Sequence, residues 1–202
     1  VGDFFGYTSE GKSGDLGLDA NTIIGYYPYS PEFSGTATLV SAYIHVASGT
    51  GNIKGGIYTD ATTPSQIGYT AEGGITTTPH WIDMSITSGG EVTGAENYAL
   101  CIKNQVASLI ASDVVAGKNT AYETATYADA WPSSFTWDGR PDFTNRACSI
   151  YVTYTALGSQ AIVAWPSTVA TIPTGWTRVT ALDDKFIKGT AASTNPGTTG
   201  GA

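Results

Sequence analysis

The sequence has 202 residues, of which 41% are hydrophobic and 13% are charged; the charged fraction is about half that of an average globular domain. Its net charge of -8 excludes nucleic acid as a partner, because affinity for phosphate depends on Lys and Arg displacing counterions. No run approaches the ~18 apolar residues of a spanning helix, so we expect no membrane insertion. These features predict a folded protein of the extracellular space or of a virion surface.

Short apolar runs bounded by Gly, Pro, Asn and Ser recur about every ten residues, and almost none has a helical period. Turn sequences between them, such as SGTGN at 48–52, fit tight reversals. About eight strands at this spacing are typical of a jelly-roll or related sandwich. The predicted fold class is all-β: an antiparallel, jelly-roll-like β-sandwich with a short C-terminal β appendage. In chain order, the predicted strands cover residues 22–29, 37–47, 51–59, 66–72, 80–84, 97–103, 109–115 and 148–155.

Two segments depart from this plan. Residues 125–146 are rich in aromatic side chains and form a stretch longer than the ~12 to 15 residues of ordinary structureless connections. After the ALGS run at 156–159 a new pattern begins, and residues 189–202 are small, polar and Gly-rich, which is typical of an extended tail. We predict two domains: a β-sandwich for display or binding over residues 1–157, and an assembly segment with a Gly-rich tail over residues 158–202.

The larger part of the chain contains the GNIKGGIYTD run at 51–60, the Pro-bearing TPS loop at 63–65, and the later YAL strand at 98–100. Through these motifs, about residues 4–155 resemble the β-sandwich modules of bacterial, archaeal and viral surface proteins. The resemblance implies the sandwich fold and a surface location. It implies no particular activity, since such modules have many roles.

The C-terminal part of the chain contains four short motifs: IVAW at 162–165, ATIPTGW at 170–176, LDDKFIKGT at 182–190 and GTTGG at 197–201. Through these motifs, about residues 160–202 resemble the collar-like segment of phage tail fibres and related virion appendages. The resemblance implies a homo-oligomer, trimeric as in tail fibres, or contacts with other virion proteins. Trp165, Trp176 and Phe186 would be buried by that assembly, because so short a segment scarcely covers them alone. The family's metal-binding His-rich repeats are not carried over, since the sequence given stops before them.

The aromatic-rich segment 125–146 contains the candidate ligand surface. Flat apolar rings stand there beside polar groups, which is the mixture that glycan recognition uses. The alternative is that the rings fasten a long loop to the edge of the sandwich, because large aromatic side chains prefer packing. The sequence leaves both interpretations open. The candidate glycan-binding residues are Tyr127, Trp131, Trp137, Asp138 and Arg140.

Motifs for catalysis and for metal binding are sparse. His45 and His80 have no Ser or Cys nucleophile at a recognised spacing, and the nucleophile-elbow, P-loop and zinc-protease signatures are missing from the sequence. We therefore expect no enzymatic activity. Asp15, Asp19 and Asn21 are candidate calcium ligands through their oxygen atoms, without the ligand order of an EF-hand. No other cofactor is expected.

The two cysteines, Cys101 and Cys148, lie in separate strand-like runs. Two thiols this far apart do not complete a zinc site without His or Asp partners at a suitable spacing. One disulfide and two buried free thiols are equally compatible with the sequence, since an unpaired Cys packs as a small hydrophobic residue.

The combined features predict a virion structural or appendage protein that acts in assembly and in attachment to a host surface or glycan. The alternative is a secreted cellular carbohydrate-binding or adhesive module, or a subunit of an extracellular filament. An enzyme is the third hypothesis, and glycan cleavage is the activity that an assay would address.

Overall fold

The computed structural model describes residues 3–137 and 143–156. Within these residues the regular structure consists of strands, and no helix occurs. The strands are β1 (Asp3–Gly6), β2 (Gly14–Leu18), β3 (Thr22–Tyr29), β4 (Gly35–His45), β5 (Gly51–Thr59), β6 (Gln66–Ile75), β7 (His80–Gly89), β8 (Glu91–Val92), β9 (Tyr98–Asn104), β10 (Ser108–Thr124), β11 (Phe143–Cys148) and β12 (Ile150–Ala156).

These strands form one hydrogen-bonded antiparallel sheet. Its order is β1-β12-β4-β7-β6-β5-β9-β3-β10-β11, with β2 beside β10 and β8 beside β4. The path closes on itself, because Leu109 and Ile110 of β10 also pair with His45 and Ile44 of β4. The prediction of an all-β, antiparallel fold of the sandwich type is confirmed. The predicted C-terminal appendage lies outside the described residues.

The sheet folds into two layers, one with β1, β12, β4 and β7 and the other with β5, β9 and β3. The long strand β10 pairs with strands of both layers. Its first part pairs with β2 and its last part, from Asn119 onward, pairs with β3. Since only residues 19–21 separate β2 from β3, the two ends of β10 lie close together and the strand is bent. The bend coincides with the register shift between Val114 and Asn119, where Gly117 has a φ of 76° that glycine adopts at little steric cost.

The core lies between the layers and follows the period of two. Val40, Ala42 and Ile44 of β4 are 0% exposed, because alternate side chains of a strand point to the same face. A Cβ atom on Gly55 of β5 would lie 2.8 Å from the Val40 Cβ, so β5 crosses the core directly opposite β4. Each fully buried Val or Ile side chain contributes about 1.5–3 kcal/mol through its removal from water.

Both cysteines are buried free thiols, which decides between the two alternatives that the sequence left open. Cys148 belongs to the main core between the layers, whereas Cys101 lies on the opposite face of β9 with Ile23, Tyr58 and Ala99. Burial raises the pKa of both thiols.

The described residues all belong to one compact unit, residues 1–160. The predicted assembly segment, residues 158–202, lies outside the described residues, and so do its predicted assembly residues Trp165, Trp176 and Phe186. In the described part of the chain, no helix is long and apolar enough to cross a membrane.

Candidate functional site

Residues 125–137, named here the capping loop, cover the outer face of β3, β5 and β9. That face consists of Ile23, Tyr58, Ala99 and Cys101, and the partly buried rings of Trp131, Phe135 and Trp137 pack against it. Hydrophobic side chains therefore occupy both faces of this layer, one facing the core and the other facing the loop. This explains why β9 is buried along its whole length.

Polar contacts fasten the capping loop to the strands beneath it. The Lys103 Nζ donates a hydrogen bond to the Asp129 carbonyl oxygen at 2.9 Å, and the Tyr58 hydroxyl donates to the Pro132 carbonyl oxygen at 2.7 Å. At the start of the loop, the Tyr127 amide donates to Asn21 Oδ1 at 3.0 Å. Backbone carbonyl groups of the loop thus satisfy polar side chains that would otherwise be buried without partners.

The aromatic rings of the loop contact one another as well as the strands. The Phe135 ring centroid lies 4.9 Å from that of Tyr58 and 4.6 Å from that of Trp137, both in edge-to-face geometry, which aromatic pairs prefer. The packing alternative raised from the sequence is thus observed for these rings. Ligand binding by Tyr127, Trp131 and Trp137 stays a prediction, and Asp138 and Arg140 lie outside the described residues.

A small charged group sits at the edge of the capping loop. The Lys54 Nζ lies 3.3 Å from Glu72 Oε1 and 4.4 Å from the centroid of the Tyr127 ring. Tyr127 is 6% exposed, and burial, with a smaller contribution from the Glu72 carboxylate, raises the pKa of its hydroxyl. The pKa of Lys103 is lowered by burial and by the neighbouring Lys54 ammonium. Tyr127 and Lys103 are buried beneath the loop and are poorly placed to meet a ligand from solution, whereas the Glu72 side chain is exposed.

The candidate calcium ligands are engaged in three different contacts. Asp15 Oδ2 lies 3.8 Å from the Nε2 of His45, the Asp19 carbonyl oxygen accepts a hydrogen bond from the Thr22 hydroxyl, and Asn21 accepts from Tyr127. Among the described residues, no group of three or more His, Cys, Asp or Glu side chains is placed to hold a metal ion. Calcium binding by these three residues stays a prediction.

A second aromatic surface, which the sequence analysis did not find, crosses the outer face of the other layer. Four rings from four strands, Phe4 of β1, Tyr151 of β12, Trp81 of β7 and Tyr43 of β4, form a row named here the aromatic stripe. Their centroid separations are 6.2 Å for Phe4 and Tyr151, 5.0 Å for Tyr151 and Trp81, and 5.5 Å for Trp81 and Tyr43. All three contacts are edge-to-face.

The strand register explains how the stripe forms. Tyr43 pairs with Trp81, and Ser41 pairs both with Asp83 and with Tyr151, so these side chains share the face opposite to the core. Within residues 3–137 and 143–156, no loop covers the rings as the capping loop covers β9: Phe4 is 59% exposed, and Tyr43, Trp81 and Tyr151 are half-buried. In this part of the chain the stripe is thus a solvent-facing aromatic surface on a hydrogen-bonded sheet.

A carboxylate borders the stripe. The Ser41 hydroxyl donates a hydrogen bond to Asp83 Oδ1 at 2.6 Å. Asp83 is exposed and Ser41 is 1% exposed, so a buried donor orients a carboxylate that faces solvent. Flat rings beside an oriented polar group are the combination expected of a site for a ring-shaped, hydroxyl-rich ligand.

The four residues of the stripe stand at positions 4, 43, 81 and 151. No local motif unites them. The sequence signal they share is an aromatic residue at a position that alternates with the core-facing residues of its strand. Comparison with protein-family models and with curated proteins gives no match for this sequence.

Proposed function

We propose that residues 3–156 form a surface-attachment domain that binds glycans along the aromatic stripe. The observation that carries the proposal is the unbroken row of three ring contacts across four strands, on a face that the described residues leave open to solvent. A sugar ring presents a C–H face that packs on aromatic rings, while its hydroxyl groups need polar partners. The stripe and Asp83 supply both kinds of contact side by side.

The sheet supports this function by holding the rings in place before a ligand arrives. Tyr151 is paired on both sides, with Gly6 and with Ser41. Trp81 is paired with Tyr43, and each ring touches its neighbour. Binding therefore orders few side chains, which reduces the entropic cost of association. A set of rings on a mobile loop would lack this advantage.

The capping loop is the second candidate surface, and its geometry favours it less. Tyr127 is 6% exposed, and the rings of Phe135 and Trp137 are directed against Tyr58 and each other. A ligand would have to compete with contacts that already fasten the loop.

The test compares two tryptophans that are both half-buried, one in each surface. Trp81→Ala removes the middle of the stripe, and Trp137→Ala removes a ring of the capping loop. We expect Trp81→Ala to weaken glycan binding by about tenfold or more, as loss of a central aromatic contact does, with Trp137→Ala close to the unmodified protein. Binding is measured on an oligosaccharide array and then by calorimetry on the strongest ligand.

A second variant guards against an effect of misfolding. Phe4→Ala removes a ring that is 59% exposed, so it leaves the core intact and should weaken binding without lowering the unfolding temperature. Full glycan binding by both Trp81→Ala and Phe4→Ala, each folded by circular dichroism, contradicts the proposal. If only Trp137→Ala loses glycan binding, the binding site lies on the capping loop.

The setting in which this domain works is a separate proposal. The resemblance of residues 160–202 to tail-fibre segments supports a virion appendage, and the alternative is a secreted adhesive module or a filament subunit. The masses of the native particle and of the intact polypeptide distinguish them. A trimer of a longer polypeptide supports the virion fibre, whereas long polymers of the 202-residue chain support the filament.

A further inference from the structure

The four strands that carry the aromatic stripe contain no Lys and no Arg. β1, β4, β7 and β12 hold the acidic residues Asp3 and Asp83 and the histidines His45 and His80. The short strand β8, which pairs with β4, adds Glu91. Asp3 alternates with Phe4 and so points to the opposite face of β1. Asp83 has the same parity as Trp81 in β7, so its carboxylate can accept hydrogen bonds from a ligand's hydroxyl groups and repels a ligand's anionic groups.

The basic residues of the strands lie elsewhere, and each is engaged within the protein. Lys103 donates to a carbonyl oxygen under the capping loop, and Lys54 pairs with Glu72. Lys118 contacts the Pro28 carbonyl oxygen and lies 4.2 Å from the Tyr29 ring centroid, while Arg146 donates to the Ser112 hydroxyl. These four cations therefore hold the fold together and do not form a surface for an anion.

We propose that the aromatic stripe selects uncharged glycans over their carboxylated or sulfated counterparts; this deepens the proposed function and rests on it. The selecting group is Asp83, which Ser41 holds at 2.6 Å in the same row as Tyr151. A neutral sugar on the rings donates a hydroxyl hydrogen to this carboxylate. An acidic sugar in the same position brings two negative charges together, and the four strands that carry the rings supply no Lys or Arg to offset them, which is unfavourable.

The experiment uses the full chain and pairs of oligosaccharides that differ only in one sialic acid or one sulfate group. Binding is measured at about pH 8, where histidine side chains are ordinarily neutral, and in salt from about 0.02 M to about 0.5 M. We expect the neutral member of each bound pair to bind about tenfold more tightly at low salt. The difference should shrink as salt screens the repulsion.

Two variants distinguish the effect of the Asp83 carboxylate from the effect of the overall charge of -8. Asp83→Asn should reduce the preference for the neutral ligand severalfold, because it raises the affinity for the acidic ligand and lowers the affinity for the neutral one. Glu96→Gln removes one negative charge from an exposed loop position and should leave the preference unchanged. If both variants reduce the preference for neutral glycans equally, net charge alone accounts for the selectivity, and the proposed role of Asp83 is wrong.

The outcomes for the inference and for the proposed function are distinguishable. If acidic glycans bind as tightly as neutral ones or more tightly, and Trp81→Ala abolishes that binding, the selectivity is wrong while the glycan function stands. If no oligosaccharide binds, or if binding is indifferent to Trp81→Ala, the proposed function fails and the selectivity fails with it.

Discussion

Two glycines on the capped face leave room for the indole rings of the loop. A Cβ atom on Gly25 would lie 2.3 Å from Cη2 of Trp137, and one on Gly56 would lie 2.9 Å from Cη2 of Trp131. Both distances are shorter than van der Waals contact, so the missing side chains allow the rings to rest on the backbone. The requirement at these positions is for space.

We expect Gly25→Ala to displace the Trp137 ring from its position against the β3 backbone. The methyl group overpacks a filled site, which costs about 1–3 kcal/mol of stability in typical cores, and the freed indole meets water. Urea unfolding should therefore show a lower free energy of unfolding, and the emission of the folded protein should shift to longer wavelength.

Gly17→Ala provides the matched control, because a Cβ atom there meets open space in β2. Its free energy of unfolding should stay within about 0.5 kcal/mol of the unmodified protein, as for most surface substitutions. If both variants lose the same free energy of unfolding, the loss is a general effect of replacing a strand glycine, and the contact between Gly25 and Trp137 has no special role.

At the scale of elements, one carboxylate organises the connection between β1 and β2. Asp113 Oδ1 accepts hydrogen bonds from the backbone amides of Lys12 at 2.7 Å and Ser13 at 3.0 Å, and Oδ2 accepts from the Tyr7 hydroxyl at 2.7 Å. The Lys12 amide first, and then the Tyr7 hydroxyl, lower the pKa of Asp113 to about 2. The ionised side chain therefore stabilises this loop.

This lowered pKa predicts a loss of stability in acid. Because the folded value lies below the ordinary 3.8, the unfolded chain binds more protons between the two, so the contribution is complete above about pH 4 and is lost as pH falls through about 2. Asp113→Asn should be less stable at pH 6, and its stability should decline less steeply between pH 4 and 2, in urea titrations.

Tyr7→Phe tests the same connection from the donor side. It removes one of the hydrogen bonds to the ionised carboxylate and leaves the two amides, so its decline in acid should lie between those of the unmodified protein and Asp113→Asn. An identical acid profile for all three proteins would mean that Asp113 does not hold the loop.

The strands that the sequence predicted well are those whose own residues carry a strong pattern. Residues 22–29 and 51–59 coincide with β3 and β5 at both ends. β1, β2, β8 and β11 were missed, since a run such as GDLGL in β2 has two glycines and only two apolar residues. β10 extends to Thr124, well beyond the predicted 115, because pairing with β3 and β11 supports a polar stretch that has no strand signal of its own.

The candidate site was less predictable than the strands. Composition identified residues 125–146 as unusual, and the structure places the described part of that segment, apart from β11, against β3, β5 and β9. The aromatic stripe depends on which strands become neighbours: Phe4 and Tyr151 meet only because β1 pairs with β12. Strand order is a property of the whole chain, so no local pattern of residues 4, 43, 81 and 151 could reveal the row.

At the scale of the molecule, the closed sheet and the capping loop enclose the two thiols in different compartments. Cys148 lies in the core between the layers, and Cys101 lies under the rings of the capping loop. Access to Cys148 requires separation of the layers, whereas access to Cys101 requires only that the loop open. The two cysteines therefore report on two different motions.

We expect neither thiol to react with a disulfide reagent in the folded protein at pH 8, and both to react after unfolding in guanidinium chloride. The thiolate is the reactive species, and burial both excludes the reagent and raises the pKa of each thiol. Reductant should leave the unfolding temperature unchanged, since both cysteines are free.

Rapid reaction of one thiol in the folded protein, abolished by Cys101→Ser and kept by Cys148→Ser, would instead show that the capping loop opens while the core stays closed. That result would contradict the view that the fastened loop is a fixed part of the fold, and would make the surface beneath it accessible to a ligand.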